Sequence, residues 1–302
     1  MALSIKDFDF ERLPEIYQIE ATNACQLHCW MCGREFMRRE IGFLDPELIK
    51  KMIERDEFAS SYMVELQMYG EPTLHPKLSY LIDLLHNAGV KVGMSTNAID
   101  MDKHTTALRK LDYLTISMDA FTVETYNKIR RPDDPETFYN MVRGVELFLN
   151  YSDRPFVDIQ CVVLPENKDE IEFVAARYAG IENTLVRTVE ECFEGIRDES
   201  SQVKTHKLCL NPWLSVSIMW DGITCSCCFA YDKYAGHTSN LDFTYGNLNE
   251  QPLREIWQGS RAESMRARHL SGKNLYERCQ TCIYRSPALL HWRMLMNWAN
   301  KT

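Results

Sequence analysis

Short apolar segments alternate with longer amphipathic ones along the N-terminal part of the chain. Apolar and β-branched runs, typical of buried strands, occur at positions 16–21, 63–69, 90–94, 113–116, 156–163 and 184–189. Between them, apolar residues recur at helical spacing near positions 45–53, 76–88, 105–111, 138–149 and 169–178. This order predicts an α/β fold with a parallel sheet, either open or closed part-way into a barrel.

Polar motifs follow the first four predicted strands at their carboxyl ends. They are Cys25, Cys29 and Cys32 after the first strand, Gly70, Glu71 and Pro72 after the second, Ser95 and Asn97 after the third, and Ser117 and Asp119 after the fourth. In a barrel of parallel strands, these ends form the rim on which active sites are built. One such motif is an ordinary turn, whereas four in succession favour the barrel and indicate an active site.

The spacing of the first three cysteines, CxxxCxxC over residues 25–32, narrows the chemistry. Three thiolates so close in sequence can ligate three irons of a cubane cluster and leave the fourth iron open for a substrate or cofactor. A zinc site usually takes four ligands, often in CxxC pairs, and this run lacks the fourth. A disulfide network agrees with the 11 cysteines but needs an oxidising compartment.

Composition and charge limit the compartment and the partners. The N-terminus lacks a basic region followed by an apolar core, and no apolar run approaches the roughly 20 residues that a membrane helix needs. We therefore expect a cytoplasmic protein with no membrane partner, whose cysteines bind metals or stay reduced. The net charge of −9 over 302 residues argues against a nucleic-acid partner and favours a neutral or cationic small molecule.

Beyond residue 200 the pattern changes and cysteines become frequent again. Residues 214–219 and 222–224 predict a hairpin, and residues 253–257 predict a short helix. The cysteines of this part are Cys209, Cys225, Cys227, Cys228, Cys279 and Cys282. We therefore expect a barrel domain of residues 1–200 and a smaller module of residues 201–302. The CxxC pair near the end also agrees with a zinc ribbon.

These motifs together resemble the radical S-adenosylmethionine (radical SAM) superfamily, in which a CxxxCxxC loop follows the first strand of a partial (β/α)6 barrel. The resemblance implies a [4Fe–4S] cluster on Cys25, Cys29 and Cys32, with SAM on the open iron and a reductant such as flavodoxin or ferredoxin. It also implies reductive cleavage of SAM to a 5′-deoxyadenosyl radical, which takes hydrogen from a carbon of the substrate.

The same resemblance gives the rim residues roles in binding SAM. Gly70, Glu71 and Pro72 match a GGE-like motif that accepts hydrogen bonds from the SAM amine. Ser95, Asn97, Ser117 and Asp119 stand where members contact the ribose and methionine parts. Arg130 matches an arginine that pairs with the SAM carboxylate, although Arg131 is equally placed. One position departs from the pattern, because many members have an aromatic residue where this chain has Met31.

The second cysteine set resembles the SPASM/twitch module, in which a hairpin and a helix carry an auxiliary cluster. The resemblance implies one auxiliary [4Fe–4S] cluster on Cys209, Cys227, Cys279 and Cys282. Cys228 adjoins one of these, where related epimerases place a hydrogen-donating cysteine, although a structural thiol is also common there. On this count Cys161, Cys192 and Cys225 have no assigned role, and Cys161 either points into the barrel or belongs to the core.

Three functions stay open at this point. The first is hydrogen abstraction from a small polar substrate of aminocyclitol or amino sugar type, ending in dehydrogenation or, through Cys228, in epimerisation. The second is modification of a ribosomally made precursor peptide by thioether formation or epimerisation. The third is a non-catalytic zinc or iron–sulfur scaffold, which leaves the rim motifs unexplained.

Two weaker features bear on substrate and assembly. Glu190, Glu191 and Glu194 follow the sixth predicted strand and would suit an amine-bearing substrate, although a solvated acidic loop has the same composition. Residues 289–298 have apolar positions at helical spacing, which agrees with a packing helix or a dimer face. The oligomeric state does not follow from the sequence.

Overall fold

A computed structural model describes residues 12–37, 39–190, 209–228, 243–273, 275–276 and 279 of the chain. Its strands are β1 Glu15–Ile19, β2 Met63–Leu66, β3 Lys91–Thr96, β4 Tyr113–Ser117, β5 Phe156–Val163, β6 Thr184–Glu190, β7 Ser215–Ile218, β8 Ile223–Cys225 and β9 Thr244–Asn247. They form one sheet in the order β6-β5-β4-β3-β2-β1-β7-β8-β9. Because β1 to β6 pair in parallel, the prediction of a partial (β/α)6 barrel is confirmed.

Helices connect these strands. Their bounds are α1 Pro46–Glu54, α2 Leu78–Asn87, α3 Met101–Leu108, α4 Val123–Arg130, α5 Thr137–Leu149, α6 Ile171–Tyr178, α7 Asn211–Leu214, α8 Leu253–Trp257 and α9 Ser260–Ser271. The predicted start of α1 is confirmed, since the Asp45 carboxylate accepts a hydrogen bond of 3.0 Å from the Glu47 backbone N–H. Gly89 adopts a φ of +75° just after α2, which is the conformation that favours glycine there.

Side chains alternate between two faces of the parallel sheet. The face toward the helices is aliphatic, and its fully buried members are Val64, Leu66, Val92, Met94, Leu114, Ile116, Val157 and Ile159. The opposite face is polar, and we call it the inner polar layer: Gln18, Glu65, Gln67, Ser95, Thr115, Asp158, Gln160 and Arg187. Each large aliphatic side chain buried on the helix side contributes roughly 2 kcal/mol, so that face supplies most of the barrel's stability.

The polar layer is closed from below by a small aromatic cluster. Tyr113 stacks on Phe156 at the amino ends of β4 and β5, with ring centroids 5.5 Å apart, and Met63 packs beside them. Every one of these side chains is at most 7 % exposed. The interior of the barrel is therefore apolar at its amino end and polar toward the rim.

Some elements begin or end at residues other than those predicted. The helix predicted at residues 105–111 is α3, Met101–Leu108, because the fully buried Met101 anchors an earlier start. Strand β2 ends at Leu66, since the Gln67 backbone N–H bonds back to the Glu65 carbonyl at 3.0 Å and turns the chain. Helix α4 was not predicted from its weak apolar pattern. Its start is capped by Thr122, whose hydroxyl also donates to the Glu170 carboxylate at 2.6 Å.

The predicted hairpin of the C-terminal part is confirmed and extends the barrel sheet. Strands β7 and β8 pair antiparallel, β9 adds a third strand, and β7 pairs in parallel with β1. The Glu20 backbone N–H donates to the Ile218 carbonyl at 2.8 Å, which continues the pairing to the rim. The hairpin therefore lies directly beside the segment that leads into the first three cysteines.

Candidate active site

The three-cysteine loop, residues 25–32, is held at the rim by backbone pairing. The His28 and Trp30 N–H groups each donate at 3.2 Å to carbonyls at the end of α4, those of Arg130 and Ile129. An isolated bridge between Leu27 and Pro132 continues this pairing. The position of the loop thus depends on α4, the helix that the sequence pattern did not reveal.

Each of the three sulfur atoms has an N–H donor from a different part of the structure. The donors are Arg34 N to Cys32 Sγ at 3.5 Å, Asn97 Nδ2 to Cys25 Sγ at 3.8 Å and Arg130 Nη1 to Cys29 Sγ at 3.8 Å. Such donors favour thiolate over thiol, because they stabilise negative charge on sulfur. They also suit the sulfur ligands of an iron–sulfur cluster, whose potential depends on such hydrogen bonds.

Burial, in contrast to these donors, favours the neutral thiol over the thiolate. It raises the pKa of Cys25 to about 11 and of Cys32 to about 12, and it raises the pKa of Cys29 as well. A bound metal deprotonates a coordinating thiol, so the free energy of metal binding offsets the cost of forming a buried thiolate. In the described part of the chain, no three ligating side chains converge closely enough for a single metal ion. A cubane cluster does not require such convergence, because each thiolate binds a different iron.

Gly70 lies against the start of the three-cysteine loop. A Cβ atom at this position would lie 2.0 Å from the Thr22 carbonyl oxygen and 2.7 Å from Asn23 Cα. The next residue, Glu71, donates its backbone N–H to the Ala24 carbonyl at 2.7 Å. Only glycine permits this close approach, which fixes the Gly70–Glu71 turn to the cysteine loop.

The Glu71 carboxylate accepts four hydrogen bonds from the protein, three on Oε1 and one on Oε2. Its oxygens accept from Thr73 N at 3.1 Å, Thr73 Oγ1 at 2.8 Å, Thr96 Oγ1 at 2.8 Å and Asn97 N at 2.7 Å. A carboxylate offers about four acceptor sites. The side chain therefore ties the second rim turn to the end of β3, and the predicted contact of Gly70, Glu71 and Pro72 with SAM stays a prediction.

Asp119 and Arg130 form a buried ion pair next to Cys29. Asp119 is 1 % exposed and Arg130 is 7 % exposed, and the Asp119 carboxylate also accepts from Val162 N at 2.6 Å. Asp119 adopts a φ of +57°, which is uncommon for a residue other than glycine, and Asn167 Nδ2 holds its carbonyl at 2.8 Å. Arg131, the alternative to Arg130, is exposed and caps α4 in the left-handed conformation.

The remaining predicted rim residues lie at the expected strand ends. Asn97 is 7 % exposed and its Nδ2 also donates to Gln26 Oε1 at 3.3 Å, so it spans β3 and the cysteine loop. Ser95 is partly exposed and donates to Glu65 Oε1 at 3.1 Å. Ser117 is partly exposed at the end of β4. The structure therefore places Gly70, Glu71, Asn97 and Arg130 against the three-cysteine loop or the segment that leads into it, and Ser95 and Ser117 at strand ends. The contacts of these residues with SAM stay predictions.

The second cysteine set is described only in part. Cys209, Cys227, Cys228 and Cys279 are partly exposed, whereas Cys282 and Cys192 lie outside the described residues. Cys225 is fully buried in the hairpin, and its thiol donates to the Ser217 carbonyl at 3.4 Å. Cys161 is packed in the helix-facing core rather than pointing into the barrel. Glu191, Glu194 and residues 289–298 also lie outside the described residues.

The buried Glu20 connects the hairpin with the two segments that flank the three-cysteine loop. Glu20, at the end of β1, is 0 % exposed and pairs with Arg39 at 2.5 Å. The other Glu20 oxygen accepts from the Trp220 backbone N–H at 3.3 Å, and the Trp220 ring lies against Gly42. This contact sets the hairpin that carries Cys225 and Cys227 against the segment following the three-cysteine loop.

Sequence reasoning missed the inner polar layer. Asp158 is 0 % exposed and Glu65 is 1 % exposed, although both lie on central strands of the barrel. Burial raises the pKa of Glu65 to about 8. The signal was present in strand five, where Asp158 and Gln160 alternate with Val157 and Ile159, but charged residues inside a barrel are not distinguishable from an exposed strand face by alternation alone.

A partial barrel whose first rim loop presents three shielded thiols is the architecture of an enzyme that carries an iron–sulfur cluster. The sequence model of the radical SAM superfamily matches residues 19–177, and that of an iron–sulfur cluster-binding domain, SPASM, matches residues 209–283. The chain belongs to the radical SAM superfamily and carries a SPASM/twitch module. Its cofactors are therefore a [4Fe–4S] cluster that binds SAM, SAM itself and an auxiliary iron–sulfur cluster.

The chain is similar in sequence to one named protein and in fold to solved structures of two others. A tungsten-containing aldehyde ferredoxin oxidoreductase cofactor-modifying protein of Pyrococcus furiosus is 25 % identical over 88 % of this chain and 86 % of its own. BtrN in complex with AdoMet and 2-DOIA has a TM-score of 0.57 at 17 % identity, over 90 % of this chain and 94 % of that one. The enzyme anSMEcpe, with bound AdoMet and Cp18Cys peptide, has a TM-score of 0.62 at 16 % identity, over 90 % and 86 %.

These structural likenesses show the fold. In the described residues, no helix is long and apolar enough to cross a membrane.

Proposed function

We propose that this protein cleaves SAM reductively and abstracts hydrogen from a carbon of a small polar substrate of aminocyclitol or amino sugar type. Dehydrogenation and epimerisation are the two outcomes that this chemistry allows. The observation that carries the proposal is the inner polar layer, which lies beneath the three-cysteine loop and is closed at its base by Tyr113 and Phe156. An apolar substrate would desolvate the partly exposed Gln67, Gln160 and Arg187 without offering them hydrogen bonds, at a cost of about 1–3 kcal/mol each.

In this proposal Cys25, Cys29 and Cys32 hold the SAM-binding cluster. When bound, that cluster and SAM supply the one-electron chemistry that generates a 5′-deoxyadenosyl radical. The chain's own part is to shield and orient: Asn97 and Arg130 donate to the sulfur atoms. Asp119 balances the charge of Arg130. We further propose that Ser95, Asn97, Ser117, Asp119, Arg130 and the Gly70–Pro72 turn contact SAM.

For the auxiliary cluster we propose Cys209, Cys227, Cys279 and Cys282 as ligands. Cys227 and Cys228 come just after β8, and Trp220 at the turn of the same hairpin donates its backbone N–H to Glu20, near the start of the three-cysteine loop. Cys225 is unsuited to a ligand role, because its thiol is buried and donates to backbone carbonyls. Cys228 remains the proposed hydrogen donor if the reaction is an epimerisation, and the auxiliary cluster is the proposed electron acceptor if it is a dehydrogenation.

A second candidate is modification of a ribosomally made peptide. The observation that favours it is the TM-score of 0.62 to anSMEcpe with bound peptide, which is no lower than that to BtrN. A peptide substrate would enter as an extended strand or loop and place one side chain in the barrel. Affinity for a leader-bearing precursor peptide separates this candidate from the first.

The test is the formation of 5′-deoxyadenosine by the anaerobically reconstituted enzyme with a strong reductant. We expect slow SAM cleavage alone and faster cleavage when an aminocyclitol or amino sugar is added. Stimulation only by precursor peptides would replace the first candidate with the second. No SAM cleavage under any condition would contradict both candidates.

Metal content tests the ligand assignment independently of the substrate. We expect about eight irons per chain in the wild type and about four in a variant with Cys25, Cys29 and Cys32 all changed to alanine. A Cys225→Ala variant is the matched control and should keep about eight. Four irons with zinc in the wild type would instead make the second cysteine set a zinc site.

A further inference from the structure

Two strands of the barrel interior carry the same arrangement of a carboxylate and an amide. On β2, Glu65 Oε2 accepts a hydrogen bond from Gln67 Nε2 at 2.9 Å. On β5, Asp158 Oδ2 accepts one from Gln160 Nε2 at 2.7 Å. In both cases the amide lies two residues after the carboxylate. On β5 the two side chains share one face of the strand, whereas Gln67 lies just past the end of β2, where the chain turns back toward Glu65.

The carboxylates lie deep and the amides lie nearer to solvent. Asp158 and Glu65 are 0 % and 1 % exposed, whereas Gln67 and Gln160 are partly exposed. With the amide nitrogen bound to the carboxylate below it, the amide oxygen faces away from that carboxylate. The two strands thus present two oriented hydrogen-bond acceptors within the barrel.

Asp158 also forms an ion pair with Arg187 in this layer. Its Oδ2 accepts from Arg187 Nε at 2.7 Å and from the Tyr113 hydroxyl at 2.8 Å. The Arg187 side chain is 20 % exposed, so it is not fully enclosed by the protein. One buried oxygen therefore orients three side chains, of which Gln160 and Arg187 are accessible to a ligand.

Three further acceptor atoms of the layer are buried without a hydrogen-bond partner among the described residues. They are Asp158 Oδ1, Gln18 Oε1 and Thr115 Oγ1, on residues that are 0 %, 3 % and 2 % exposed. Each of these atoms costs about 1–3 kcal/mol when it is left unpaired. The layer is therefore rich in hydrogen-bond acceptors, and those on the partly exposed Gln67 and Gln160 are the ones open to a donor from solvent.

We propose that the inner polar layer is the substrate-recognition site and that it selects a small molecule with several hydroxyl or ammonium donors. This inference rests on the proposed function and gives its substrate class a physical basis. The Gln67 and Gln160 oxygens accept hydrogen bonds from the substrate, and Arg187 accommodates an oxygen acceptor on it. Glu65 and Asp158 are positioning residues, because they act through the amides and the guanidinium that they orient.

Binding to the reconstituted enzyme in the presence of SAM tests this proposal by calorimetry. The probes are glucosamine, 2-deoxystreptamine and myo-inositol, with a capped hexapeptide that has no charged side chains for comparison. We expect at least one of the three donor-rich probes to bind and the hexapeptide not to bind. If none of the three binds, or if the hexapeptide alone binds, the proposal is wrong.

Variants then locate the site. Gln160→Leu and Asp158→Asn should each weaken binding of the bound probe about tenfold, which is the loss expected for one or two hydrogen bonds. Because Asp158 acts through Gln160 as well as through Arg187, the loss in the double variant should be smaller than the sum of the two single losses. Unchanged affinity in Gln160→Leu, or fully additive losses in the double variant, would overturn the assignment of these roles.

Ile159→Val is the matched control. Its side chain lies between Asp158 and Gln160 on the other face of β5, and it should leave probe affinity and iron content unchanged. SAM cleavage without a probe separates this inference from the proposed function. An enzyme that cleaves SAM but binds none of the probes would retain the radical chemistry and lose the recognition site.

Discussion

The two faces of the barrel sheet are built from adjacent residues but differ in polarity and in what their side chains need when they are buried. On β4, Leu114 and Ile116 point toward the helices, are fully buried and need no specific partner. Thr115, between them, is 2 % exposed on the inner face, and its hydroxyl has no hydrogen-bond partner in the described part of the chain. One face gains free energy from burial alone, whereas the other buries polar groups at a cost.

The difference separates stability from function within single strands. Aliphatic contacts are non-directional, so the helix-facing core holds the barrel together without defining a reaction. The inner face and the rim consist of oriented donors and acceptors such as Glu65, Asp158 and the three thiols of the cysteine loop. We therefore expect changes on the outer face to lower stability, changes at the rim to remove cofactor, and changes inside to alter recognition.

The largest expected effect is at the rim, where both faces end. Gly70→Ala places a Cβ 2.0 Å from the Thr22 carbonyl oxygen, which is backbone and cannot move without displacing the loop that leads to Cys25. We expect the variant to lose about four of about eight irons and all substrate-dependent SAM cleavage. Iron analysis and 5′-deoxyadenosine formation measure this.

Gly89→Ala serves as the control for Gly70→Ala. Gly89 has a φ of +75°, and no heavy atom of the described residues lies within 4 Å of the position that a Cβ would take, so the change introduces only backbone strain. It should cost about 1 kcal/mol of stability and leave the iron content unchanged. Equal iron loss in both variants would mean that general destabilisation, rather than the clash with Thr22, removes the cluster.

On the outer face, Leu114→Ala should lower the free energy of unfolding by about 3 kcal/mol, because it leaves a cavity in a closely packed core. This corresponds to a melting temperature roughly 6 °C lower for a chain of this size. Calorimetry of the reconstituted enzyme measures the shift. Affinity for donor-rich probes should change little at temperatures where the variant is folded. A tenfold loss of affinity would contradict the claim that the outer face affects stability and not recognition.

The sequence was sufficient to predict the outer face and the rim. Apolar periodicity predicted every strand of the barrel, and CxxxCxxC with Gly70-Glu71-Pro72 located the rim loop. Both signals are local, since they depend on spacing within one segment. The hairpin of β7 and β8 was predicted for the same reason.

The sequence was insufficient where partners come from distant segments. The pairing of the cysteine loop with the end of α4 joins His28 to Arg130, and the ion pair of Glu20 with Arg39 supports a hairpin near Trp220. The parallel pairing of β7 with β1 likewise depends on tertiary structure. No spacing rule encodes these contacts, because loop closure and packing decide them.

Glu65 provides a test of the inner face that depends on pH. Burial raises its pKa from 4.5 to about 8, with Asp158 nearby raising it and Ser95, Gln18 and Arg187 lowering it. Between these two values the unfolded chain releases a proton that the folded chain retains. The free energy of unfolding should therefore fall as pH rises from about 4.5 to about 8, and level off above that.

Replacing Glu65 with glutamine should remove this contribution to the pH dependence. The difference between wild type and Glu65→Gln isolates one group from the other titrating residues. Infrared difference spectroscopy should also show the carbonyl band of a protonated carboxylic acid that disappears near pH 8 in the wild type and is absent from the variant. A wild-type band that disappears near pH 4.5 would show that the inner face is well solvated.

The smallest expected effect is that of Thr115→Val, and its sign distinguishes the two faces most directly. Valine has nearly the same shape as threonine and removes a buried hydroxyl that lacks a partner among the described residues. The free energy of unfolding should rise by about 1 kcal/mol, since an unpaired polar group is lost. Affinity for a donor-rich probe should change little at the same time, because the hydroxyl is buried out of a ligand's reach. A variant that is less stable than the wild type would show that Thr115 supports the fold as Leu114 does, and the contrast between the two faces of β4 would then disappear.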